Sequence, residues 1–101
     1  MAAYFVFRHR VRNSDKAHEY LSKVGETLAP YHHELLVSAD HSEVIEGNTP
    51  LPRTVVIRFD SHEAAMDWYD SAAYRKVRPL RLEATEGYAV LVDGPPLAAS
   101  R

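Results

Sequence analysis

Six histidines in a chain of 101 residues make a metal site the first chemistry to test. Three His-Glu pairs occur, His18-Glu19, His33-Glu34 and His62-Glu63, but a zinc-binding HExxH helix needs a second histidine four residues after the first. Those positions hold Ser22, Val37 and Met66, so no metal site is expected. His32 and His33 are adjacent, and on an extended segment their side chains point to opposite sides and cannot close on one ion. One of them facing a cavity would be a proton carrier near neutral pH. With no cysteine and no Gly-x-Ser-x-Gly elbow, a cysteine or elbow-serine nucleophile is not indicated. The four glycines, at 25, 47, 87 and 94, are too scattered for a phosphate-cradling loop, so no nucleotide cofactor is expected.

The densest chemistry lies in WYDSAAYRKVRPLR, residues 68 to 81. Trp68 and Tyr69 continue the helical face of Ala64 and Ala65, which reads as core packing. Ser71 is placed to cap a new short helix whose Tyr74 and Val77 face inward, and Pro79 is expected to stop it. Arg75, Lys76 and Arg78 then suit the negative end of the helix dipole. Arg81 emerges beyond the expected break, where a guanidinium can pair with a carboxylate or anchor an anionic ligand.

The elements that must position these groups read in order. Residues 3 to 11, AYFVFRHRV, form a strand, and Asn13-Ser14-Asp15 start a helix whose stripe is Ala17, Tyr20, Leu21, Val24 and Leu28, ended by Pro30. ELLVSA (34–39) and EVIE (43–46) read as a strand with a kink at residues 40–42, followed by the loop GNTPLP and the strand RTVVIRF (53–59), which together make a hairpin. Asp60 and Ser61 supply a helix cap, with Glu63 in capping-box register to Asp60, and GYAVLVDG (87–94) is the last strand. The order is β-α-β-β-α-β: an α+β, ferredoxin-like antiparallel sheet with both helices on one face, in a single domain over residues 1–94 with a tail over 95–101. Val55-Val56-Ile57, Ala89 to Val92 and Tyr4 to Phe7 are apolar on both strand faces. Because the helices cover one face, a second copy of the sheet is the expected cover for the other, giving a homodimeric α/β barrel.

A net charge of −2 provides no global field for nucleic acid. The RNA-recognition module shares this element order, but RTVVIRF lacks the glycine and central aromatics of its signature. Arg8, Arg10 and Arg12 share a strand face and read as a solvated rim. The N-terminal apolar run is too short for a signal segment or a membrane span, so no membrane partner is expected and a cytoplasmic location is the default.

EVIEGN (43–48), VVIRFDS (55–61), EAAMDWYDSAAYRKVRPLR (63–81) and LVDG (91–94) resemble the family called domain of unknown function 1330. Their most specific part is W-Y-x-S-x-x-Y-x-x-x-x-P-L-R. The resemblance implies a ferredoxin-like dimeric α/β barrel, related in shape to small-molecule monooxygenases, isomerases and haem-degrading enzymes. It marks Glu46, Trp68, Tyr69, Ser71, Tyr74, Pro79 and Arg81 as signature positions. His32-His33 stand where the family usually has a Gly-Gly turn, Asp60 departs from its Glu-Phe-Pro-Ser, and Ala72 replaces its usual proline. The resulting expectation is a pocket for an unknown small molecule running cofactor-independent acid/base chemistry. Glu46 with His32 or His33 would shuttle protons, Arg81 or Arg58 would hold negative charge, and Trp68, Tyr69 and Tyr74 would wall the cavity. Two alternatives stay open: a non-catalytic dimeric module with a Glu46–Arg81 ion pair, and a haem-binding protein with a histidine axial ligand.

Overall fold

The computed structural model describes residues 1–95, so all but the first residue of the expected tail lies outside the described residues. Along the chain run β1 (Ala2–Val11), α1 (Ser14–Leu28), β2 (His33–Ala39), β3 (Arg53–Phe59), α2 (His62–Tyr69), α3 (Ala72–Ala84) and β4 (Thr85–Gly94). The strands form one antiparallel sheet in the order β2-β3-β1-β4. This is the expected ferredoxin-like α+β fold, with its second helical connection divided into α2 and α3. No helix among the described residues is long and apolar enough to cross a membrane.

The alternation of β1 sorts the two faces of the sheet. Ala3, Phe5, Phe7 and His9 are buried toward the helices, whereas Tyr4, Val6, Arg8 and Arg10 point the other way. Register carries the sorting outward: Phe5 lies between Ile57 and Leu91, and Val6 between Val56 and Val90. The core is aromatic, with Trp68, Tyr74 and Phe59 fully buried. Trp68 stacks on Phe59 at 5.5 Å and meets Tyr74 at 4.1 Å, and its indole Nε1 donates to Thr27 Oγ1 at 3.0 Å. That bond satisfies the one polar atom the indole brings into the core.

Serine and asparagine caps close the helix starts. Asn13 accepts from the Lys16 amide, Ser61 from Ala64 and Ser71 from Tyr74, the last as the sequence predicts. The expected Asp60–Glu63 capping box does not form. Ser61 is the cap, and the Asp60 carboxylate faces His32 and Arg58 instead.

Two further expectations are corrected. Residues 43–46 lie outside any strand and are exposed. Extending the Ala39–Thr54 register would set residues 41 and 43 opposite Pro52 and Pro50, which have no N–H to give a ladder. Pro79, expected to stop its helix, sits inside α3. The lost bond belongs to the carbonyl of Arg75, and both Arg75 and Pro79 are exposed, so water can take the bond's place. The buried stripe of Tyr74, Val77, Arg81 and Ala84 anchors the helix on both sides of the proline. Arg81 is therefore a helical residue two turns after Tyr74, and Arg75, Lys76 and Arg78 are mid-helix rather than at its end.

Candidate functional site

Helix α1 packs chiefly along α3. This leaves a cavity of about 640 Å³ between α1 and the β1, β2 and β3 side of the sheet. Phe7, Val55 and Ile57 form its floor, and Ala17, Leu21 and Val24 of α1 form its roof. Mostly apolar walls with a few convergent polar groups are what a small-molecule site requires, and the volume falls in that range. The polar groups include His9, Tyr20, His33, Arg53 and Arg81, with His18 and Asp40 also on the lining.

Arg81 is 7% exposed and has no carboxylate partner among the described residues. Its Nε donates to the Tyr74 hydroxyl at 3.2 Å, and its guanidinium lies 5.1 Å from the centre of the Phe7 ring. Burial opposes the charge, but the neighbouring Tyr74, Tyr20 and Tyr69 outweigh it and the pKa is raised, so Arg81 stays protonated. A buried cation balanced only by a ring and a phenol is electrostatically incomplete.

His9 is 6% exposed, and its Nδ1 is buried with no hydrogen-bond partner among the described residues. Burial first, then the charges of Arg81 and Arg53, lower its pKa to about 4. The imidazole is thus neutral at pH 7 and holds a free acceptor nitrogen beside a cation. Opposite it on β4 is Gly87, at φ +151°, where an added Cβ would come within 2.1 Å of the Arg8 carbonyl oxygen and 2.8 Å of the His9 Cβ. Only glycine lets β4 approach this closely. Arg53, across the ladder from His9, is held by Asp40 at 2.8 Å and Ser38 at 3.2 Å.

The residues singled out in the sequence fall in several places. His33 and Arg81 line the cavity. The His33 Nδ1 lies 2.7 Å from the Tyr31 carbonyl, and its ring packs near Phe59. His32 is exposed, with Nδ1 2.8 Å from an Asp60 oxygen. Arg58 lies on the opposite face of the sheet, bonded to Glu34 at 2.8 Å and near Asp60 at 3.6 Å. Glu46 is exposed on the loop after β2, beside a smaller recess of about 350 Å³ that includes Arg8, Thr54 and Tyr88. The sheet separates that recess from Arg81, so the expected Glu46–Arg81 ion pair is absent. Trp68 and Tyr74 are core rather than cavity wall, and Tyr69 is half-buried under the Arg78 guanidinium.

Sequence reasoning missed His9, Tyr20 as a polar group, and Arg53. The alternation of β1 held the signal for His9: a strand that points Arg8 and Arg10 one way must point His9 with Phe5 and Phe7. Nothing local marked Arg53, which reaches the site through strand register. Among the described residues no group of three or more histidine or carboxylate side chains is arranged to hold a metal ion.

A family model described as domain of unknown function (DUF1330) matches residues 2–95. No curated protein matches the chain. A solved structure of a protein of unknown function from Rhodopseudomonas palustris is similar at TM-score 0.75 and 13% identity, covering 95% of this chain and 82% of that one. The cofactor-independent oxygenase SnoaB from Streptomyces nogalater is similar at TM-score 0.64 and 12% identity over 98% of each chain. A dimeric ferredoxin-like protein of unknown function from Thermobifida fusca is similar at TM-score 0.61 and 12% identity, covering 91% of this chain and 90% of that one. At these identities the likeness is one of fold.

Proposed function

The chain belongs to the family described as domain of unknown function (DUF1330), and we propose that it binds a small, largely apolar molecule in the cavity under α1 and performs cofactor-independent proton transfer on it. The observation that carries this reading is Arg81, a buried cation on an apolar cavity with no carboxylate to balance it among the described residues. Arg53 and Arg58, by contrast, each hold one. A ligand oxygen bearing or developing negative charge supplies what Arg81 lacks.

His9 is the complementary base. It is neutral, and one cause is the charge of Arg81. An oxyanion forming at Arg81 cancels that charge and raises the basicity of His9, so proton removal and oxyanion formation favour each other. The reactions that fit are those begun by loss of a proton from a carbon or oxygen acid: enolisation, isomerisation or cyclisation, and oxygenation where dioxygen is the co-reactant. The fold neighbour described as a cofactor-independent oxygenase is consistent with the last. His33 and Arg81 belong to this reading; Glu46, His32 and Arg58 stand outside the cavity and are assigned no step.

The test is binding of 2-naphthoate, an apolar two-ring carboxylate, followed by calorimetry. The native protein is expected to bind it, and Arg81→Met to weaken binding by about 10- to 100-fold, the worth of a charge-assisted hydrogen bond in a buried site. Equal binding by the variant would overturn the assignment.

We propose in addition that the open face of the sheet pairs with a second copy of the chain. Val37, Tyr88, Val90 and Val92 are exposed there, and one fold neighbour is described as dimeric.

A further inference from the structure

The hydroxyls of Tyr20 and Tyr74 lie 2.8 Å apart, and either oxygen could donate by distance alone. Their surroundings decide which. Tyr74 is fully buried, and its oxygen accepts from Arg81 Nε at 3.2 Å. Arg81 has donors and no acceptor, so it cannot receive the Tyr74 proton. Among the described residues the Tyr20 oxygen is the one acceptor within reach of that hydroxyl. A buried hydroxyl proton goes to an acceptor when one is present, and the reverse orientation would strand it in the aromatic core. The chain therefore runs from Arg81 Nε–H to Tyr74 O–H to the Tyr20 oxygen.

One proton is left over. The Tyr20 oxygen already accepts, its own O–H has no acceptor among the described residues, and Tyr20, unlike Tyr74, lines the cavity. We propose that Tyr20 is the orienting donor of this site, its hydroxyl directed at a carbonyl or oxyanion oxygen of the bound molecule. The proposal rests on the binding function assigned above and specifies what the ligand must present: an acceptor oxygen toward Tyr20 and Arg81, and an acidic C–H or O–H toward His9.

Two properties suit Tyr20 to the task. The cation at the head of the chain polarises each hydroxyl in turn, so the last O–H is a stronger donor than an isolated phenol. Burial, followed by the proximity and hydrogen bond of Tyr74, raises the pKa of Tyr20 and keeps its proton in place, with Arg81 opposing more weakly. Tyr20 therefore remains a donor while His9 remains an acceptor, and the cavity offers a ligand one of each.

The experiment compares 1-tetralone, a two-ring ketone, with tetralin, the same skeleton without the oxygen, by titration calorimetry. The native protein is expected to bind tetralone about tenfold more tightly than tetralin, the worth of one good buried hydrogen bond. Tyr20→Phe should remove most of that preference for tetralone over tetralin, which the loss of a merely structural tyrosine would not do. Because that variant strands the Tyr74 proton, the pair Tyr20→Phe with Tyr74→Phe, which removes both hydroxyls and leaves the ring packing, should show the same loss of selectivity. A tetralone preference that survives in both variants overturns the role of Tyr20 and leaves the cavity reading standing. Failure of the native protein to bind either compound overturns both.

Discussion

The two faces of the sheet are built from the same strands and treat charge in opposite ways. On the open face Arg58 is held by Glu34 and Asp60, and Arg10 by Glu86, where water also screens the pairs, while Arg8 has no carboxylate and donates to Ser42 and the Leu51 carbonyl. On the helix face Arg81 is buried against Phe7 and Tyr74, and His9 is held neutral close by. The open face pairs Arg10 and Arg58 with carboxylates and is incomplete in packing, with valines and a tyrosine uncovered. The helix face is complete in packing around Trp68 and incomplete in charge around Arg81. Each face lacks what a different partner supplies: an apolar surface for the first, an oxygen anion for the second.

The largest test of this contrast removes the packing that the helix face has. Trp68→Ala takes out a fully buried side chain and its bond to Thr27. It should cost about 3–5 kcal/mol in chemical denaturation, as large-to-small core changes do. A loss under about 1 kcal/mol would mean that the aromatic core is not what holds the helices to the sheet.

Next in size is the pH response of His9. Its ordinary value is 6.5, and in the folded chain it is about 4. Above 6.5 the imidazole is neutral in both states and adds nothing to the pH dependence. As pH falls from 6.5 toward 4 the unfolded chain takes up a proton that the folded chain refuses, so stability declines, and below about 4 the decline from this group ends. The total is on the order of 3 kcal/mol. His9→Gln should flatten that window in denaturation curves measured across it. An unchanged slope would show that His9 is not the buried neutral group of the helix face.

The smallest effect on the folded chain, and the sharpest on the contrast, is expected on the open face. Val90→Lys alters an exposed side chain and should change the stability of the monomer by no more than about 0.5 kcal/mol. If a second copy covers this face, the same change abolishes self-association in analytical ultracentrifugation. A native protein that sediments as a monomer would overturn the dimer.

Legibility from the sequence followed the range of the interactions. The helix stripe of α1, the Ser71 cap and the inward pair Tyr74 and Val77 were readable because propensity and capping act over three or four residues. Pro79 shows where a local rule gives way. Its missing bond faces solvent, and the buried stripe on both sides outweighs a propensity cost of about 3 kcal/mol. The candidate site was legible only in part. Arg81 and His33 could be named, but the charge expected to pair with Arg81 was placed at Glu46, on the wrong side of the sheet.

By itself, the sequence determined the β-α-β-β-α-β order, the two-sided apolar strands and the presence of a cation two turns after Tyr74, because these depend on periodicity and neighbours along the chain. Only the tertiary structure decided that β3 sets Arg53 across from His9, that α1 stands away from the strands to leave a cavity, and that the Tyr20 and Tyr74 hydroxyls meet. Those outcomes depend on strand register and helix packing. Each joins residues dozens of positions apart, beyond the reach of any local pattern.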